Sequence, residues 1–231
     1  MIDPKSLLMP LSTSGHVPER ISGALSIARY FNAHLEVMHA QVSPSQFLPD
    51  DVVGMPGGLL KQLEAVADKH SQSESQDLQA LFNRLCDEYE VVISEQAGVQ
   101  ATAYWREING LRSELVAERG KVADAIICPQ SKSGKPTSTF EAAIMRSGKP
   151  VILVPRTMTQ FSAERVVIAW NGSTEVARAV THALPILSRA KQVLLITSKT
   201  ARVNKPGLNA LQNYLKMHGI ESGQKTFDSS R

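Results

Sequence analysis

Short apolar runs alternate along the chain with longer segments whose apolar residues recur every three or four positions. Ser6–Leu11 reads as a strand. Val17–Phe31 reads as a helix, with Ile21, Ala24, Leu25, Ala28 and Phe31 on one face. Residues 34–40 predict a second strand. Residues 41–56 hold three prolines and the pair Asp50-Asp51, so they predict a loop, which reads as a flap. Residues 57–89 predict a helix, loosened at the polar stretch Ser71-Gln72-Ser73-Glu74-Ser75. A strand at 90–96 and a helix at 105–118 follow. Residues 123–128 are nearly all apolar, the pattern of a strand covered on both faces. Residues 138–147 predict a helix opened by Ser138-Thr139-Phe140-Glu141, which has the form of a capping box. Residues 151–155 predict another buried strand.

Strands alternating with helices predict βαβ units, a parallel sheet and helices on both of its faces. The first such unit spans residues 1–157. The rhythm then starts again over 164–231. Residues 166–170, Thr174–Leu187 and 192–197 repeat the opening strand, helix and strand, followed by a helix at 206–218 and a strand at 220–227. The expectation is a duplicated domain whose second copy carries three strands and lacks the fourth and fifth. Its first strand would then present an open edge.

Composition narrows the class. A chain of 231 residues with 42% apolar and 20% charged residues has the balance of a globular protein with a real core. No apolar run approaches the roughly 18–20 residues that cross a bilayer. The N-terminal sequence has no secretory pattern. We therefore expect a cytoplasmic protein without a membrane partner. The net charge of +3 is too small and dispersed to call for a nucleic acid. Cys86 and Cys128 read as reduced, buried thiols. The six histidines show no metal-ligand spacing, so no metal site is expected. Trp105 and Trp170 read as packing anchors.

Three segments carry a family resemblance. Val167-Ile168-Ala169-Trp170-Asn171-Gly172-Ser173-Thr174-Glu175 resembles an apolar strand ending in D-G-S. Ala123-Asp124-Ala125-Ile126-Ile127-Cys128 is similar to an A-D-hydrophobic fourth strand. Residues 146–155, through Gly148-Lys149-Pro150 into Val151-Ile152-Leu153-Val154, are similar to a closing helix, short turn and last strand. Together, in this order, they resemble the universal stress protein family in its tandem two-repeat form. The resemblance implies a flavodoxin-like α/β fold (adenine nucleotide alpha hydrolase-like). That fold is a doubly wound parallel sheet of order 3-2-1-4-5, here followed by a partial second copy. It also implies pairing through sheet edges, hence a homo-oligomer such as a dimer, or another protein partner. In some members it implies ATP or another adenine nucleotide as ligand.

The family's nucleotide site uses an aspartate after strand one, a backbone contact at the end of strand two, and a G-x2-G-x9-G-[ST] loop after strand four. Mapped here, those positions fall on Ser12, Ala40, Ser131, Gly134, Ser138 and Thr139. The aspartate is absent, since Leu11 or Ser12 stands there and Asn171 in the second copy. Two of three glycines are replaced, and only Lys135 and Pro136 separate Gly134 from Thr137-Ser138. Side chains in place of glycines obstruct close backbone approach to phosphate. What remains is an anion-friendly corner with Lys132 and Lys135, Ser138 capping the helix. A phosphate-binding P-loop is excluded, because Pro129 stands five residues before Gly134 and Pro136 follows Lys135. Ser12-Thr13-Ser14-Gly15-His16 lacks the frame of a nucleophile elbow and reads as a polar turn with a hydroxyl cap. The sequence thus predicts a stress-response protein that acts by binding and association, with a degenerate nucleotide site. The alternative is an ATP-binding member with slow hydrolysis.

Overall fold

A computed structural model describes residues 3–13, 15–41, 57–198 and 206–228, with side chains described outside 57–72. Contacts divide the chain into two compact units, Pro4–Phe161 and a smaller one over Ser162–Arg231 that Asp3 joins.

The larger unit is built on a parallel sheet. Its strands are β1 (Ser6–Leu11), β2 (His34–Gln41), β3 (Val92–Ile93), β4 (Thr102–Asn109), β5 (Ala125–Pro129) and β6 (Val151–Val154), in the order β3-β4-β2-β1-β5-β6. The helices are α1 (Val17–Phe31), α2 (Gly57–Glu88), α3 (Arg112–Arg119) and α4 (Ser138–Arg146). Side chains alternate across each strand, so the two faces need separate covers. α1 packs against α2. On the other face, Val116 and Ala117 of α3 and Ala142 and Ala143 of α4 pack with Leu8, Met38, Ile126 and Cys128 of the sheet. Set aside the two-residue β3, and the order is the expected 3-2-1-4-5. The architecture is a doubly wound, flavodoxin-like α/β fold.

Two expectations need correction here. The third long strand is β4, in the place of the strand expected at 90–96, where only Val92 and Ile93 pair, on the outer side of β4. The helix expected at 105–118 is strand as far as Asn109 and becomes helix only at Arg112. Trp105, Ile108 and Leu115 fit either period. Pairing decides: β4 matches β2 residue for residue from His34↔Thr102 to Gln41↔Asn109, and Trp105 packs on Phe82 of α2 with ring centres 5.7 Å apart. Gly110, at φ 139°, then makes the turn into α3. The polar stretch 71–75 does not interrupt α2. Ser75 is buried there, and its hydroxyl donates to Glu107 of β4.

Asp124 shows what the A-D pair does locally. Its Oδ2 accepts from the backbone N–H groups of Lys5 and Ser6 at 2.7 and 2.9 Å, pinning the start of β1 beside β5.

The smaller unit runs β7 (Arg165–Ala169), α5 (Thr174–Leu187), β8 (Gln192–Ser198), α6 (Leu208–Met217) and β9 (Gly223–Phe227), with a parallel sheet of order β7-β8-β9. Its core joins Ile168, Trp170, Leu184, Leu187, Val193, Leu195, Leu211 and Leu215. The Trp170 indole donates to the Pro206 carbonyl at 2.8 Å. Among the described residues β7 pairs with β8 alone, and Val167 on it is 57% exposed.

Candidate functional site

β1 lies between β2 and β5, so the chain order reverses beside β1. In an open α/β sheet such a reversal parts the loops at the carboxyl ends of the strands and leaves a crevice. A cavity of about 330 Å³ occupies that place, walled by Pro10 and Ser12 at the end of β1 and by Cys128 and Pro129 at the end of β5.

The loop after β1 enters α1 through two successive left-handed residues, Gly15 at φ 56° and His16 at φ 48°. His16 stands at the N-cap without a side-chain cap bond, so the expected hydroxyl cap of this turn is not what starts α1. The turn delivers Arg20, one helical turn in, to the cavity wall. Arg20 is 4% exposed, and its Nη1 donates to the Ser12 carbonyl at 2.8 Å. Its Nε has no hydrogen-bond partner among the described residues.

The loop after β5 is contracted and closed on itself. The Ser131 hydroxyl donates to the Lys135 carbonyl, and the Gly134 N–H donates to the Ser131 carbonyl at 3.3 Å. Gly134, at φ 71°, supplies the left-handed residue of that turn. The loop then enters α4 with Thr137 as N-cap, its hydroxyl accepting from the Phe140 N–H at 3.2 Å. This corrects the expected cap: Ser138 is the first helical residue, and there is no capping box from Ser138 to Glu141. Thr139 faces inward and is buried, its hydroxyl accepting from Arg112 Nε at 3.2 Å.

Of the expected site residues, the structure brings Ser12, Ser131 and Thr139 to the cavity wall. Gly134 and Ser138 are exposed outside that wall, and Ala40 is half-buried on β2, also outside it. Lys132 lines the cavity and Lys135 does not. The flap expected around Asp50-Asp51 lies outside the described residues.

Sequence reasoning missed the arginines. Arg112, at the start of α3, donates from Nη1 to the Leu11 carbonyl at 3.1 Å and lines the cavity. Arg156, two residues past β6, lines it as well. A Cβ on Gly15 would stand 3.2 Å from Arg156 Nη2, so the glycine leaves that guanidinium its place. Burial holds the Arg20 guanidinium below its ordinary pKa, and the charges of Arg156 and Arg112 push the same way. Arg112 is held down chiefly by burial. Among the described residues no Asp or Glu lines the cavity. A single arginine in a helix's first or last turn is an unremarkable sequence feature. Only the topology shows that three of them converge.

A separate polar cluster lies between α2, β2 and β4. Ser75 donates to Glu107 Oε1, Trp105 Nε1 donates to the same oxygen at 3.0 Å, and Gln41 Nε2 donates to Oε2 at 3.1 Å. His39 Nδ1 stands 3.4 Å from the Ser75 hydroxyl. The carboxylate accepts the serine's hydrogen bond and does not orient the imidazole, so this is not a nucleophile–base–acid relay. It satisfies buried polar groups.

Among the described residues no group of three or more His, Cys, Asp or Glu side chains could hold a metal ion. No helix among them is long and apolar enough to cross a membrane.

The chain matches no family model and no curated protein by sequence. In fold it is similar to the universal stress protein from Archaeoglobus fulgidus DSM 4304, with a TM-score of 0.65, 12% identity, and 97% of this chain and 79% of that chain covered. Two looser superpositions cover about two thirds of this chain. One is a universal stress protein in complex with cAMP, with a TM-score of 0.42, 14% identity, and 67% of this chain and 98% of that one. The other is a protein from the universal stress protein family from Burkholderia pseudomallei, with a TM-score of 0.38, 18% identity, and 65% and 96% covered. At 12% identity the likeness to the Archaeoglobus protein is one of fold, and the chain has the universal stress protein fold.

Proposed function

We propose that the chain is a universal-stress-type protein that acts in stress response by binding and association, with a cleft that departs from a nucleotide site. The observation that carries this reading is the makeup of the cleft. Its ionisable groups among the described residues are Arg20, Arg112, Arg156, Lys132 and Cys128. Burial pushes the Cys128 thiol up to about 12, which leaves it protonated and un-nucleophilic. The common general bases are His, Asp and Glu, and among the described residues none of these lines the cavity. Cations and inward-facing donors suit holding an anion.

Under this reading the smaller unit is a second repeat carried through its third strand, since β7–α5–β8–α6–β9 follows the same strand–helix rhythm as the first repeat. Association would use sheet edges. Edge strand β7 offers Val167, and edge strand β6 offers Leu153, 45% exposed. A cytoplasmic setting suits two free, buried thiols.

The test is paired. Light scattering after size exclusion should give a dimer or larger species. Incubation with ATP and magnesium should release no phosphate above the buffer control. A monomer that turns ATP over would replace this reading with the hydrolytic one.

A further inference from the structure

Arg20, Arg112 and Arg156 come from three elements far apart in sequence, yet all border one cavity at the carboxyl ends of β1 and β5. Among the described residues nothing negative in the lining offsets them. The guanidiniums lean on neutral acceptors instead: Ser12 carbonyl for Arg20, Leu11 carbonyl and Thr139 hydroxyl for Arg112. Gathering like charges in a poorly solvated place is costly unless an opposite charge enters. Thr137 and Thr139, at the start of α4, also line the wall, so the open N–H groups of a helix's first turn lie at the same place.

We propose that this cleft binds a compact multivalent phosphate, with an inorganic diphosphate as the unit that fits it, held directly by Arg20, Arg112 and Arg156 without a metal ion. The inference rests on reading the cleft as a binding site, as above. Guanidinium N–H groups not already bonded to the protein pair with phosphate oxygens, and three guanidiniums at one cavity call for more than one negative charge. The helix start adds donors that favour an anion. Among the described residues no lining carboxylate could hold a divalent cation, and the arginines repel one. Magnesium bound to the diphosphate would cancel the charge that the arginines need. Magnesium should therefore weaken binding, the opposite of a site built for a magnesium–nucleotide complex.

The test is calorimetric titration of the full chain with sodium pyrophosphate in EDTA. We expect saturable binding, weakened about tenfold or more in Arg156→Gln, the loss of one charge-assisted contact. Arg156→Lys, which keeps the charge and loses the fork, should fall between. Arg156 is half-buried at the cavity wall, so these variants should melt like the parent. Excess magnesium should reduce affinity. ATP in EDTA should compete, citrate poorly. No heat with pyrophosphate, binding indifferent to both Arg156 variants, binding strengthened by magnesium, or citrate bound as well as pyrophosphate would each overturn the inference. If the chain still self-associates and leaves ATP intact, only this inference has failed. If it hydrolyses ATP, the wider reading has failed with it.

Discussion

Arg112 Nε donates to Thr139 Oγ1 at 3.2 Å, which ties the first turn of α3 to the first turn of α4 beside the cleft. Thr139 is 9% exposed, so an arginine donor deprived of it could not turn to bulk water. Thr139→Val keeps the shape and removes the acceptor. We expect a loss of about 1–3 kcal/mol, the usual penalty for stranding a buried donor. Thr139→Ser keeps the oxygen and should stay close to the parent. Urea unfolding of the two variants decides it, and equal midpoints would mean that the bond contributes nothing.

The neighbouring hydroxyls separate in the same way. Thr137 caps α4 by accepting from the Phe140 N–H, whereas Ser138 is exposed in the first helical turn. Thr137→Ala should cost about 1 kcal/mol, as a lost N-cap does. Ser138→Ala should be near neutral. If Ser138→Ala proves the more damaging, the helix starts one residue later than described here.

This one-residue shift marks how far the sequence could be read. Ser6–Leu11, Val17–Phe31 and Thr174–Leu187 fall where periodicity puts them, because each buries one continuous apolar stripe or run. The segment from Trp105 to Asn109 does not, because its spacing fits both periods and only the edge of β2 selects strand. The cap was ambiguous because Thr137 and Ser138 offer the same hydroxyl, and the extended backbone of Thr137, at φ −95° and ψ 155°, makes it the residue outside the helix that caps it. At the cleft, the positions mapped from the resemblance include Ser12, Ser131 and Thr139, which line the cavity. They do not include Arg20, Arg112 and Arg156, since each lies on a different element and carries no local signature. Convergence of side chains from separate crossovers is a property of strand order.

Two imidazoles, His39 buried and His34 partly buried, set a pH dependence. Burial holds His39 below its ordinary value, against the opposing pull of Glu107 and Glu74 and with a small push from Arg112. Burial likewise lowers His34, against Glu36 and with Arg106. The folded chain therefore binds fewer protons than the unfolded chain once the pH drops below about 6.5, the value of a free imidazole. Stability is complete above that pH and declines as the pH falls. Glu107 extends the decline further into acid. Burial opposes its charge, but hydrogen bonds from Ser75 and Trp105 hold its carboxyl below the ordinary value. Urea midpoints measured between pH 7.5 and 5 should move steadily lower. A flat profile across that window would contradict the lowering of both imidazoles.

Gly120 joins α3 to β5 where no side chain fits. A Cβ there would sit 2.6 Å from Ile126 Cδ1 and 2.9 Å from Ser147 Cβ. Ile126 is fully buried in the sheet, and the Ser147 hydroxyl is bonded back to the Ala143 carbonyl, so neither neighbour gives way freely. Gly120→Ala should cost about 1–3 kcal/mol through overpacking, even though alanine is the better helix former. Gly134→Ala provides the contrast. Its added Cβ meets nothing within 4 Å, so the cost is the left-handed backbone at φ 71° alone, about 1–2 kcal/mol. The second site shows which effect operates at the first. Ile126→Val opens space against Gly120 and should recover part of the Gly120→Ala loss, while leaving the Gly134→Ala loss unchanged. Double-mutant cycles by urea unfolding would measure this coupling, and additive losses for Gly120→Ala with Ile126→Val would rule out the steric account.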